Sequence, residues 1–341
     1  MKKRIWILPI VVLLVIFFVG TCFAAWLLIP ARTNYGATWE TYLKEPRNSV
    51  DVLYFGSSLV YCNVVPSVIW EENGIASYVM AGPEQTIPIT YSYIKETCRT
   101  QNPKAIVIEV TGMFYSQYCS FTKANISYMP YTLNRVAATL NAAEPELKAG
   151  LLLPILDYHT LWTSVGKTAL LTKFNPGTDI FAGYTYLEKI EVQNEIKVRG
   201  YKADTENYAR NVEYLNKICR YCQRNDIELV LMITPTMGRV AEPALTQLKN
   251  DIAQLPNVHF VDFNDTIADL ELDNDTDWYD FIHFNCRGAE KFSRQLANYL
   301  NEKLGLGATE GVDESLWQAR VDEFAARLSK VKAADTESEG K

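Results

Sequence analysis

Three hydrophobic patterns follow one another along the chain. From Ile5 to Pro30 the sequence is uncharged and almost wholly apolar. That run is about 25 residues, enough to cross ~30 Å of hydrocarbon at 1.5 Å per residue. From Asp51 onward, short apolar runs alternate with longer stretches of helical period. The runs predict strands over 52–55, 76–80, 105–110, 228–233 and 258–262. Between them the spacing and the Pro and Gly positions predict helices over 66–73, 87–101, 205–225, 243–254 and 288–304. Continuously apolar strands separated by helices predict a parallel sheet covered on both faces. Five of them suit a doubly wound, flavodoxin-like α/β sheet, in which ligands bind at the C-terminal strand ends.

The interval 114–203 breaks this alternation. It contains helical stretches over 133–149 and 156–171, and a Gly-rich aromatic segment over 175–186. It reads as an insertion over the strand ends, a mostly helical lid or acceptor-binding segment; the other reading is a second structural layer away from substrate. After Gly305 an amphipathic helix over 313–332 carries Leu316, Trp317, Val321, Phe324 and Leu328 on one side. It docks on its own domain, on a partner or on a membrane surface. The charged tail 333–341 reads as disordered. The domain plan is thus an anchor (1–31), an α/β domain in two pieces (45–113 and 204–304), the insertion (114–203) and a C-terminal helix with its tail (305–341).

Composition changes the picture little. The chain is 48% hydrophobic and 21% charged, as a globular protein is, and its net charge of -7 with no basic stripe argues against nucleic acid. At the N-terminus charge does matter. Lys2, Lys3 and Arg4 precede the apolar run, which predicts an uncleaved anchor with the N-terminus cytoplasmic and the rest outside. A signal peptide cleaved near Ala24-Ala25 is the rival, but the apolar run continues past that point. Cys22 reads as a cysteine within the span. Cys62, Cys98, Cys119, Cys219, Cys222 and Cys286 form no disulfide framework. Cys219 and Cys222 lie i, i+3 on a helix with no second pair and no nearby His, which argues against zinc. No metal or cofactor motif appears.

The candidate chemistry sits at two strand ends. The first strand runs into Gly56-Ser57-Ser58, and the loop after the last strand carries Asp280 and His283. A serine hydroxyl becomes a nucleophile when a neighbouring base takes its proton, and the base works when a carboxylate fixes its tautomer. Ser58 is the expected nucleophile, His283 the base and Asp280 its orienter, with Ser57 bracing the loop. The lipase elbow Gly-x-Ser-x-Gly is absent, since Val60 stands at the second glycine. His159 is a possible acceptor contact in the insertion, and His259 is given no role.

Gly56-Ser57-Ser58-Leu59 early, Gly82 after the second strand and Asp280-x-x-His283 late resemble the SGNH (GDSL-like) hydrolase superfamily. The resemblance covers roughly residues 50–112 and 205–304. It implies an oxyanion hole from the Ser58 and Gly82 amides. The third block departs from the family pattern: Met113 stands where its oxyanion asparagine would fall, which leaves Gln85 and Thr111 as polar substitutes. The N-terminal anchor, the Gly-Ser-Ser block and the missing asparagine are similar to the membrane-anchored DltD/AlgJ-like branch. That resemblance implies an extracytoplasmic serine O-acyltransferase acting on a cell-wall or secreted polysaccharide, with no cofactor, beside a polytopic membrane-bound O-acyltransferase. A carbohydrate acetyl esterase and a non-catalytic accessory protein remain as alternatives.

Overall fold

The computed structural model describes residues 7–30, 32, 36, 39–118, 120–163 and 165–339. Lys2, Lys3, Arg4 and Cys119 lie outside the described residues. The chain is α/β, built on a five-stranded, all-parallel sheet with helices on both faces. Its strands are β1 (Val52–Phe55), β2 (Ser77–Val79), β3 (Ala105–Glu109), β5 (Glu228–Ile233) and β7 (Val258–Asp262). Two short strands, β4 (Lys197–Arg199) and β6 (Gly238–Val240), pair with each other in a separate parallel ribbon. The large sheet has the order β2-β1-β3-β5-β7.

Alternation along each strand divides the core in two. Leu53, Phe55, Ile106, Ile108, Leu229 and Leu231 face one side, where Ile87–Thr97 and Glu206–Arg224 pack. Val52, Tyr54, Val107, Val230 and Met232 face the other, under Pro66–Asn73 and Cys286–Leu304. The helix ends follow local chemistry. Gly74 closes Pro66–Asn73 at φ 68°, the left-handed conformation that glycine takes without strain. Thr205 caps the next long helix by accepting the Tyr208 N–H at 3.1 Å.

The insertion departs from its expected form. The single helix over 133–149 is two, Leu133–Ala142 and Pro145–Leu152. Pro145 pushes Glu144 out of the helical region, to ψ 142°. The aromatic segment 175–186 reaches the C-terminal end of β2 and the short helix Ser58–Tyr61, where the Thr185 N–H donates to Tyr61 O at 2.7 Å. It runs beside the edge strand β2, where the Val79 N–H donates to Ala182 O at 2.9 Å. Its Tyr184 and Tyr186 rings lie 6.1 and 5.9 Å from Phe324 of the C-terminal helix.

That helix, Glu314–Glu339, docks on its own domain. Trp317 stacks on Trp70 at 5.1 Å, Phe324 and Leu328 are buried, and Arg320 pairs with buried Glu45. It continues through most of the tail expected to be disordered, because a helix already seated by packing extends through residues with no breaker among them. Ile7–Leu28 is one helix, long and apolar enough to cross a membrane, a property that a signal sequence at this position shares. Among the described residues every cysteine is a free thiol.

Candidate active site

Ser58 opens a short helix, Ser58–Tyr61, directly after β1. The turn depends on Gly56 at φ 147°, where a Cβ would come within 2.7 Å of Val60 Cγ2 and 3.0 Å of Glu109 Cβ. The Ser57 hydroxyl caps the helix, accepting the Leu59 N–H at 3.4 Å. Ser57 is buried and Ser58 is partly exposed, so the fold presents Ser58 to the cleft and turns Ser57 inward.

The partner residues stand on a tight turn. Trp278 and Phe284 form an antiparallel bridge, and the Tyr279 N–H donates to His283 O at 2.9 Å. Within it, Asp280 Oδ1 accepts the backbone N–H groups of Ile282 and His283 at 2.8 and 2.9 Å. Asp280 Oδ2 lies 2.8 Å from His283 Nδ1, and His283 Nε2 lies 2.7 Å from Ser58 Oγ. Burial works against the Asp280 carboxylate, but its bonds to the His283 ring and the two amides outweigh that and hold its pKa below the ordinary value. With Nδ1–H donated to Asp280, Nε2 is free to accept the Ser58 hydroxyl proton.

Several buried groups fix this arrangement. Asn63 Oδ1 accepts the Phe284 N–H at 2.9 Å. Asn285 caps Cys286–Leu304 through the Arg287 and Gly288 N–H groups, and its Nδ2 donates to Thr276 O at 2.6 Å. The Thr236 hydroxyl donates to Phe281 O at 3.1 Å. Behind the serine turn lies Glu109, at the end of β3. Burial pushes its pKa up to about 7, although it accepts both the N–H and the hydroxyl of Thr111. Burial also pushes the neighbouring Tyr115 phenol, which faces Ser57 and Thr111, up to about 12.

Ser58 and His283 open on a cleft of about 1120 Å³. Its walls include Tyr61, Glu84 and Ile282, with Phe114, Tyr118, Phe121, Glu144, Arg199 and Tyr201 from the insertion. The other expected site residues lie elsewhere. Gln85 is buried and donates to Thr90 at 3.0 Å. Thr111 is buried against Glu109. His159 is exposed on the helices that pack beside Ile7–Leu28, with Nδ1 turned to the Ile155 and Leu156 carbonyls. None of the three lines the cleft. Gly82 is close to the serine turn, but its N–H donates to Gly56 O at 3.2 Å, continuing the β1–β2 ladder. Of the two expected oxyanion donors, the Gly82 N–H is thus engaged, and the Ser58 N–H lies at a helix start. Met113 is a core residue whose carbonyl accepts from Asn211 at 3.0 Å.

Glu109, Tyr115, Arg199 and Asn63 were not singled out from the sequence. For Glu109 a signal existed, an acidic residue closing an otherwise apolar strand. For the others, nothing local distinguishes them from surface and turn residues. In comparisons with known proteins, no family model matches the chain and no curated protein matches it.

Proposed function

We propose that the chain is a membrane-anchored, extracytoplasmic serine O-acyltransferase of the SGNH-like class. It moves a small acyl group, acetyl or similar, onto a hydroxyl of a cell-surface or secreted polysaccharide. The observation that carries this reading is the unbroken run from Ser58 Oγ through His283 to Asp280 at 2.7 and 2.8 Å, open to the cleft.

Ser58 Oγ attacks the acyl carbonyl as His283 takes its proton. The oxyanion that forms is held by the Ser58 N–H at the helix start. His283 returns the proton to the leaving group, and an acyl ester remains on Ser58. An acceptor hydroxyl, deprotonated by His283, then attacks that ester and frees the serine. The strand order, a flavodoxin-type order with ligands at the C-terminal strand ends, supports the family assignment. The size of the cleft supports a polymeric acceptor over a small one. The candidate span fits a membrane anchor, and the resemblance to the membrane-anchored branch suggests a polytopic O-acyltransferase as the acyl source.

One observation favours a second reading, a non-catalytic accessory protein that binds polymer in the same cleft. With the Gly82 N–H engaged and Met113 in the core, the oxyanion site has one evident donor. A fluorophosphonate probe separates the two, since it needs an activated oxygen but no particular acyl group. In the full-length protein, labelling at Ser58 that disappears in His283→Ala supports the transferase reading. Folded protein that never labels, alone or with its membrane partner, supports the accessory reading.

A further inference from the structure

The N-terminal helix does not stand clear of the domain. The inserted helices Ile155–Tyr158 and His159–Thr163 pack against it. Farther along, Phe174 meets Trp26 edge-on at 5.3 Å, and the Lys173 ammonium lies 5.2 Å from the Trp26 ring. Tyr131, just before the helix Leu133–Ala142, meets Phe18 at 6.3 Å. That last contact fixes a depth. A 30 Å hydrocarbon layer takes about 20 helical residues. If the layer begins as early as the apolar run permits, at Ile5, its outer boundary falls near Ala25. Phe18 then lies about 10 Å inside it, at 1.5 Å per residue. A later start only places Phe18 deeper. Tyr131 shares that depth.

The surface of the insertion is suited to such a place. Leu156, Leu171 and Phe174 are more than half exposed, and Trp162 is 72% exposed. In water this is an unusually apolar face for elements packed so closely together. Of the five Lys or Arg between Phe121 and Phe174, Arg135 and Lys173 are buried and Lys123 pairs with Asp157, so apolar side chains set the character of this surface. A face of Trp, Leu and Phe is what lies at the boundary of headgroups and acyl chains. An apolar cavity of about 380 Å³ also separates the span from the insertion, between Phe23, Trp26, Met129 and Pro154.

We infer that the insertion is a second membrane contact. Its face around Leu156, Trp162, Leu171 and Phe174 sits in the outer leaflet, beside the span and continuous with it. The same insertion contributes Tyr118, Phe121 and Glu144 to the cleft wall, so this contact holds the cleft against the membrane surface. The inference rests on Ile7–Leu28 crossing the bilayer and is independent of the chemistry at Ser58.

The test uses the full chain in liposomes of phosphatidylcholine and phosphatidylglycerol, in a parent carrying Cys22→Ser, Cys98→Ser and Cys119→Ser. An environment-sensitive fluorophore is placed on Trp162→Cys or Leu171→Cys, and on Phe17→Cys and Ser315→Cys as references. Nitroxide-bearing lipids should quench positions 162 and 171 severalfold, as they quench 17, and leave 315 unchanged. Quenching at 17 alone, with 162 and 171 behaving as 315 does, overturns the inference. If 17 is also unquenched, the span reading falls and takes this one with it. Photocrosslinking from Trp162→Cys in native membranes gives the remaining outcome. Transfer to lipid supports the inference, and transfer to another polypeptide shows a protein-docking face and overturns it. None of these readouts depends on activity at Ser58.

Discussion

Asn63 accepts the Phe284 backbone N–H at 2.9 Å, and through that bond the segment following the serine helix holds the turn that presents His283. Asn63 is fully buried and touches no substrate space, so it is a positioning residue. Asn63→Ala leaves the Phe284 N–H buried without an acceptor, a cost of about 1–3 kcal/mol. Fluorophosphonate labelling of Ser58 should slow by roughly 10–100-fold, as expected when a reacting pair is misplaced. Asn63→Asp keeps the acceptor and should recover most of that rate. Equal losses in both variants, at matched thermal stability, would remove Asn63 from the positioning role.

The triad should behave as one unit. Ser58→Ala and His283→Ala are each expected to reduce acyl transfer by ~10³-fold or more, with the double variant little worse than either. Asp280→Asn should also cost orders of magnitude, because an amide facing Nδ1 favours the wrong tautomer. Rates from the four variants check this. Independent, multiplicative losses would mean that the 2.7 Å contact between Ser58 and His283 is not used in turnover.

Ser57 gives a sharper contrast. Its hydroxyl caps the helix that Ser58 begins, so Ser57→Ala is expected to cost about 1 kcal/mol of stability and to leave Ser58 labelling in place. Peptide mapping of the labelled protein decides between the two serines. Probe on Ser57 in the wild-type chain would exchange their roles.

Glu109 should leave a signature in the pH dependence of stability. Burial lets folded Glu109 keep its proton up to about pH 7, against an ordinary value of about 4.5. Folding therefore takes up a proton between those values, and this residue's contribution falls as pH rises through the window. A shift of this size corresponds to about 3 kcal/mol. In Glu109→Gln, which can still accept the Thr111 N–H, the loss of stability between pH 5 and pH 8 should shrink by that order. Thermal or denaturant unfolding at the two pH values measures it. An unchanged difference would show that Glu109 is ionised in the fold throughout.

Much of the frame was legible because its signals are local. Phe55 and Gly56 mark where β1 ends, Gly74 closes a helix, and the Asp280–His283 spacing fits one tight turn. What was not legible depends on contacts across the fold. The Gly82 N–H is taken by Gly56, a pairing set by how β2 lies against β1. Gln85 and Thr111 are near the serine in sequence order of the strands, yet both are buried against local partners. Asn63 and Asn285 look in sequence like ordinary turn residues, and only their burial makes them structural. The division of the insertion at Glu144-Pro145 was readable from the proline, whose effect on the preceding residue outweighs the helical period around it.

The position of residues 175–186 bears on how the molecule meets other chains. β2 is an edge strand, and an open edge is a template for strands of other chains. Residues 175–186 cover its Val79 end, and the fit depends on Gly183 at φ 89°, where any Cβ would lie 2.0 Å from Val79 O. The same segment supplies the rings against which Phe324 rests. A side chain at 183 would lift the cover and loosen the C-terminal helix together. The result would be a chain with an intact serine site and a sticky flank, lost to aggregates rather than to inactivity.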